Sequence, residues 1–214
     1  TISLNSSYVN QSFYSLANGE VLNLPNNDWD IAFNLQPMNS SIRTNDGMGV
    51  ELYSYNYGDT SSWNNINTGT IQMVTNPMYN SDSNWSLGAF DRNQLGHPDY
   101  GWGVYNMTTH EVIGDSIFII KTVSGNWKKL VIEKLATGIY TFRYANLDGS
   151  NQIVQSINKS NYPGKNFIYY SLDQDLIQDR EPLSSDWDIT FTKYSTDYPT
   201  QQGTMPYSVT GVLQ

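Results

Sequence analysis

Two segments far apart in the chain carry the same pattern. YSLANGEVLNLPNNDWDIAF (Tyr14–Phe33) and YSLDQDLIQDREPLSSDWDITF (Tyr170–Phe191) share Tyr-Ser-Leu, a polar stretch with one proline, then Asp-Trp-Asp-Ile-x-Phe. A tryptophan-centred repeat of this kind constrains the fold more than composition does, because two like sequences must solve one local packing problem twice. Each motif precedes a Gly-containing loop and a strand-like run, GMGVELYSY from Gly47 and YSVTGVL from Tyr207. The units therefore span about 14–54 and 170–213. Two copies are too few for a solenoid; they predict related strand–loop–strand units inside one domain covering residues 1–214.

Within the first motif, strict alternation places Trp29, Ile31 and Phe33 on one face and Asp28, Asp30 and Ala32 on the other. Trp187, Ile189 and Phe191 repeat the pattern, with Asp186 and Asp188 outward. The paired aspartates read as the wet face of a half-buried strand. No D-x-D-x-D-G loop follows either pair to suggest calcium.

The rest of the chain reads as strands and turns. SIFIIKT (Ser116–Thr122), a Ser-Gly-Asn turn and WKKLVIEKL (Trp127–Leu135) predict a hairpin. IYTFRYANLDG extends it into a meander, with Tyr140, Phe142 and Tyr144 opposed to Ile139, Thr141, Arg143 and Ala145. FIYYSL (Phe167–Leu172) and GTIQMVT (Gly69–Thr75) are further candidate strands, and Ser86–Phe90 a short one. Sixteen tyrosines favour strands, while abundant Asn, Ser and Gly favour turns over helices. The expected fold class is all-β: an antiparallel meander or sandwich with few or no helices. A long stretch of weak periodicity, NPMYNSDSNWSLGAFDRNQLGHPDY, interrupts the pattern, and long irregular segments tend to be functional.

Charge removes several partner classes. With a formal net charge of −9 there is no basic stripe for nucleic acid or for an anionic membrane surface. No run of apolar residues is long enough for a transmembrane segment. The opening TISLNSSYVN has no charged and apolar leader, so no signal peptide is expected in it. The absence of cysteine excludes disulfides, thiolate catalysis and covalent C-x-x-C-H haem attachment. The acidic, Asn/Ser/Tyr-rich, Lys-poor composition points to export, as in many bacterial surface proteins.

No enzyme constellation emerges. Neither histidine accompanies a G-x-S-x-G elbow, and no H-E-x-x-H or phosphate-binding glycine loop has the required context. The soft donors are more informative. His97, Met107, His110, Met73 and Met78 lie in the central segment, interleaved with Trp85, Phe90, Tyr100, Trp102 and Tyr105. Haem iron accepts His or Met axially within aromatic and aliphatic walls. The plainer alternative is that the methionines fill core gaps and the histidines are solvated loop residues.

W-D-I-A-F, then I-R-T-N-D-G-x-G, a Gly-Trp strand, I-F-I-I-K-T-x-S-G-N-W-K-K-L and Y-T-F-R-Y-A together resemble the HmuY family of haem-binding, haemophore-like bacterial surface or secreted proteins. The resemblance runs from about Trp29 to Tyr144, and the C-terminal repeat looks like an extension found in longer relatives. It implies an all-β fold with haem held non-covalently between two axial ligands on loops at one end. It also implies iron acquisition by capture and hand-over to an outer-membrane TonB-dependent receptor, with no catalysis.

In family members one ligand falls five residues after the tryptophan of the Gly-Trp strand, which is Met107 after Trp102 here. The other lies upstream of that tryptophan, where QMVTNPMYN offers Met73 or Met78. The resemblance thus implies a Met–Met pair, and His97 and His110 compete with it on chemical grounds. The alternative is a carbohydrate- or partner-binding module, using Tyr53–Tyr57, Trp63 and Trp85 to stack on sugar rings. A third reading is a hydrolase with two facing carboxylates.

Overall fold

The duplicated motif explains how the chain closes on itself. In the computed structural model, which describes residues 2–201 and 203–213, the strands run β1 (Asn10–Ser15), β2 (Gly19–Pro25), β3 (Ile31–Asn34), β4 (Ile42–Thr44), β5 (Glu51–Ser54), β6 (Gly103–Asn106), β7 (Glu111–Gly114), β8 (Phe118–Lys121), β9 (Trp127–Ala136), β10 (Ile139–Asn146), β11 (Ile153–Asn158), β12 (Phe167–Ser171), β13 (Leu176–Gln178), β14 (Ile189–Thr200) and β15 (Gly203–Leu213). Each copy pairs with the other. Tyr14 of the first copy lies opposite Ile189 of the second, and Tyr170 of the second opposite Ile31 of the first.

The second aspartate of each motif fastens the exchange. The Asp30 amide donates to the Tyr170 carbonyl, and the Asp188 amide to the Tyr14 carbonyl, each at 2.9 Å. The Asp30 carboxylate accepts from the Leu172 amide, and the Asp188 carboxylate from the Leu16 amide, each at 2.7 Å. One sheet is consequently β15-β14-β1-β2 and its counterpart β4-β3-β12-β13. Both are built from the first hairpin of one copy and the second pair of strands of the other.

A third sheet of seven strands carries the order β11-β10-β9-β7-β6, with β8 on the other stretch of β9 and β5 on β8. The central meander forms as the alternation predicts. Phe118 pairs with Leu130 and Lys121 with Trp127, and the β9–β10 turn is Thr137-Gly138 with positive φ at both residues. That is the twist a two-residue hairpin requires. Tyr140, Phe142 and Tyr144 enter the main core with Ile31, Phe33, Phe118 and Tyr170 between two sheets. Ala145, Ile119 and Val131 face the opposite side, where Trp63 and Ile66 cover them. All pairings are antiparallel, so the protein is all-β, with only short 3-10 turns among the described residues.

Five local expectations are corrected. Asp30 is not on a wet face: it is 2% exposed and also accepts the Val123 amide at 2.8 Å. Trp29 packs with Ala32, Phe167 and Tyr169, not with Ile31 and Phe33, because the strand begins only at Ile31 and Asp30 breaks the alternation before it. The stretch 69–75 is no strand. Asn67 caps a 3-10 turn, Thr68–Gln72, by accepting the Gly69 amide while its own amide donates to the Thr70 hydroxyl. Such local side-chain bonds compete with sheet pairing. Residues 86–90 likewise contribute a 3-10 turn, Ala89–Asp91. The run from Gly47 pairs in the seven-stranded sheet through β5, so β4, and not β5, is the counterpart of β15.

Among the described residues no helix is long and apolar enough to cross a membrane.

Candidate functional site

Trp102 supplies the footing on which the site is built. It is fully buried, and its indole N–H donates to the Ser40 carbonyl at 3.0 Å, tying the loop after β3 to the start of β6. Tyr140 binds the same loop from below, its hydroxyl 3.1 Å from the Asn34 carbonyl and 3.4 Å from that of Asn39. The approach to β6 folds back on the strand. The Tyr105 amide donates to Pro98, and the Asp99 carboxylate accepts the Gly101 amide at 2.7 Å. Gly101 has φ +86°, and a Cβ there would stand 2.9 Å from the Phe90 carbonyl oxygen, so this crossing requires glycine.

Between these pieces and the end of the seven-stranded sheet lies a cavity of about 490 Å³. It is lined by His97, Tyr100, Tyr105 and His110 together with Val112, Leu135, the Thr137-Gly138 turn, the 37–40 loop and Lys159. That volume is typical of small-molecule sites. Both histidines of the chain line this cavity, each in ring contact with Tyr105. The His97 ring centroid is 5.4 Å from that of Tyr105, and the His110 centroid 6.2 Å from it.

Each imidazole has a tyrosine hydroxyl on Nδ1: Tyr100 at 3.3 Å from His97 and Tyr105 at 2.7 Å from His110. A hydroxyl that accepts from Nδ1–H fixes the tautomer and leaves the Nε2 lone pair for a metal. No group of three or more His, Asp or Glu side chains that could hold a bare ion is present among the described residues. A porphyrin iron needs only axial donors, and this cavity offers two imidazoles beside aromatic and aliphatic side chains.

Backbone strain collects at the same place. Nine non-glycine residues have positive φ among the described residues, and three of them, Met38, His110 and Thr137, line this cavity. Left-handed backbone at a β-branched or bulky residue is costly and clusters where a fold clamps a ligand. His110 reaches this conformation at the end of the β6–β7 turn. There its amide donates to the Asn106 carbonyl, while the Asn106 side chain accepts from Thr108 and Thr109.

The remaining sequence candidates lie elsewhere. Met107 sits on the same turn but is 74% exposed and does not line the cavity. Met78 is bridged by its backbone to Leu52, packs partly against the main core and lines a different groove, of about 360 Å³, beside the β14–β15 hairpin. Met73 ends the 3-10 turn before it, where its carbonyl accepts the Tyr57 hydroxyl. The Met–Met pair implied by the resemblance is thus not brought to one cavity, whereas His97, Tyr105 and His110 are. Sequence reading missed Met38 and Lys159, which come from loops with no periodic signal.

The buried carboxylates do other work. Burial raises Asp46 to about 6, Asp91 to about 7 and Glu181 to about 7. Each accepts backbone amides: Asp46 those of Asn80 and Ser195, Asp91 that of Gly88, Glu181 those of Asn166 and Phe167. None of the three lines the 490 Å³ cavity. No family model, curated protein or solved structure matches this chain.

Proposed function

We propose that this protein binds haem without turning it over, at the cavity of His97 and His110, outside the cell or on its surface. The role is capture of haem for iron acquisition and its delivery to an outer-membrane TonB-dependent receptor. The observation that supports this reading most is the convergence of both histidines on one cavity, each with its Nδ1 occupied by a tyrosine. His97 and His110 would hold the iron, which when bound supplies the axial coordination sites. Tyr100 and Tyr105 orient the imidazoles, and Val112 and Leu135 offer apolar wall to the macrocycle. Met107 and Met78 are not needed as ligands in this arrangement.

The test is a titration of the protein with haem, read by visible absorption in both oxidation states, with His97→Ala, His110→Ala, Met107→Ala and Met78→Ala alongside. A saturable low-spin Soret spectrum, lost in each histidine variant and kept in each methionine variant, supports the reading. A broad, unsaturable spectrum that no substitution changes sinks it.

A second reading, saccharide binding, is favoured by a separate cavity of about 280 Å³ lined by Trp85, Phe167, Trp187, Asn34, Gln36 and Asn166. Aromatic faces beside side-chain amides suit sugar rings. Trp63 takes no part, since it is buried under Arg143 and Lys129. Binding of neutral oligosaccharides that is abolished by Trp85→Ala and indifferent to His110→Ala would favour this reading over haem.

A further inference from the structure

We propose that Lys159 is the anion anchor of the 490 Å³ cavity, so that the ligand selected there is a flat aromatic compound carrying a carboxylate at its edge. The inference rests on the reading that this cavity takes a porphyrin, and adds which end of such a ligand is recognised and by what.

Lys159 follows β11 at the start of a 3-10 turn, Lys159–Asn161, and lines the cavity with the two histidines. Its Nζ donates to the carbonyls of Gln36 at 3.0 Å and Asn39 at 2.5 Å, and lies 5.2 Å from the centre of the Tyr140 ring. These contacts fix the ammonium in place. An ammonium has three donors, and among the described residues the third has no acceptor. No carboxylate reaches ion-pair distance of it either, whereas Lys121, Lys128 and Lys165 are paired with Glu51, Asp173 and Asp179.

Burial alone, with no charged neighbour, lowers Lys159 to about 8. A half-buried cation without a counter-ion is an unfavourable arrangement in the free protein. It becomes favourable when a ligand brings the anion, because the resulting hydrogen bond is charge-assisted. The groups facing Lys159 are neutral or basic: His97, His110, Tyr100 and Tyr105 on the cavity wall, and Tyr140 beneath, whose hydroxyl burial holds in its neutral form. No acidic side chain lines the cavity to repel a carboxylate.

The experiment uses metal-free protoporphyrin IX and its dimethyl ester, which share a ring and differ only at the carboxylates. Neither involves iron, so axial ligation drops out. Binding is followed by fluorescence for the natural protein, Lys159→Gln and Lys159→Arg, each checked for an unchanged melting curve. The expected result is that the diacid binds the natural protein about tenfold or more tighter than the ester. Lys159→Gln brings the diacid down to the level of the ester and leaves the ester unchanged, while Lys159→Arg keeps most of the preference. The preference also fades as pH rises above about 8, where free Lys159 loses its proton.

Equal affinity of acid and ester for the natural protein overturns the anchor. So does a Lys159→Gln effect equal on both ligands, which would mark a purely structural lysine. If haem binds through the histidines but the acid holds no advantage over the ester, the anchor fails and the haem reading stands. If neither porphyrin nor haem binds, both fail.

Discussion

Asp30 and Asp188 occupy the same place in the two motif copies, and replacing each by alanine should cost very different amounts. Asp30 is 2% exposed and accepts two backbone amides, Val123 at 2.8 Å and Leu172 at 2.7 Å. Removing the carboxylate orphans both donors in the interior, at about 1–3 kcal/mol each. Part of that is offset, because burial already raises the Asp30 pKa and the variant no longer desolvates a charge. The net expectation is a loss of about 3 kcal/mol. Asp188 accepts one amide, that of Leu16, whose side chain is 71% exposed. Water can replace that bond, so Asp188→Ala should cost less than about 1 kcal/mol. The assay is urea unfolding with midpoints compared at constant slope. In a protein of this size the Asp30 loss corresponds to a fall of about 6–12 °C in melting temperature. Asp30→Asn, which keeps one acceptor oxygen, should lie between. Equal losses for the two alanine variants, or a larger loss at Asp188, would refute the claim that one copy of the motif is locked internally and the other at the surface.

Other outcomes follow from the same geometry. His110→Gly should relieve the left-handed backbone at φ 59° and leave stability unchanged or raised by about 0.5–1 kcal/mol, while abolishing low-spin haem binding; a parallel fall in stability would show that the imidazole is structural. Gly114→Ala should destabilise by about 2–3 kcal/mol or more, because its Cβ would stand 1.7 Å from the Ile132 carbonyl oxygen, and a melting curve like that of the natural protein would contradict the close β7–β9 approach. Stability should fall from pH 5 to pH 8. Asp46, Asp91 and Glu181 titrate near 6, 7 and 7 when folded, so the native state holds more protons than the unfolded chain between pH 4 and 7, and their contribution is lost as pH rises through those values. Below pH 4 the sign reverses, as hydrogen-bonded carboxylates with lowered pKa, such as Glu51 and Asp175, are protonated. Melting temperatures that climb steadily from pH 5 to pH 8 would contradict the assignment.

Where burial follows side-chain alternation, the sequence is easy to read. Tyr140, Phe142 and Tyr144 stand on the core face of β10, and the β8–β9 hairpin closes through its Ser-Gly-Asn turn. Long-range polar contacts leave no such trace. Asp30 looks like a solvated residue until β12 arrives from the other motif copy and places the Leu172 amide against it. The duplicated motif is visible in the sequence, but its reciprocal pairing is not, since nothing local says which copy a strand will choose. At the site, residue type pointed to His97, His110 and Tyr105 as candidates, and the folded-back approach to β6 brings them together. The resemblance implies Met107 as a ligand, yet the turn carries it into solvent. Met38 comes from a loop held by Trp102 and Tyr140, and Lys159 from a 3-10 turn whose ammonium binds that loop, so no pattern in their own segments reveals them.

The measurement that bears most directly on the haem reading is a low-temperature electron paramagnetic resonance spectrum of the ferric haem complex, taken for the natural protein, His97→Ala and His110→Ala. The expected result is a single low-spin signal of the bis-imidazole type, replaced by a high-spin signal in each variant. A high-spin spectrum in the natural protein, or a low-spin signal unaffected by either substitution, would contradict ligation by the two histidines.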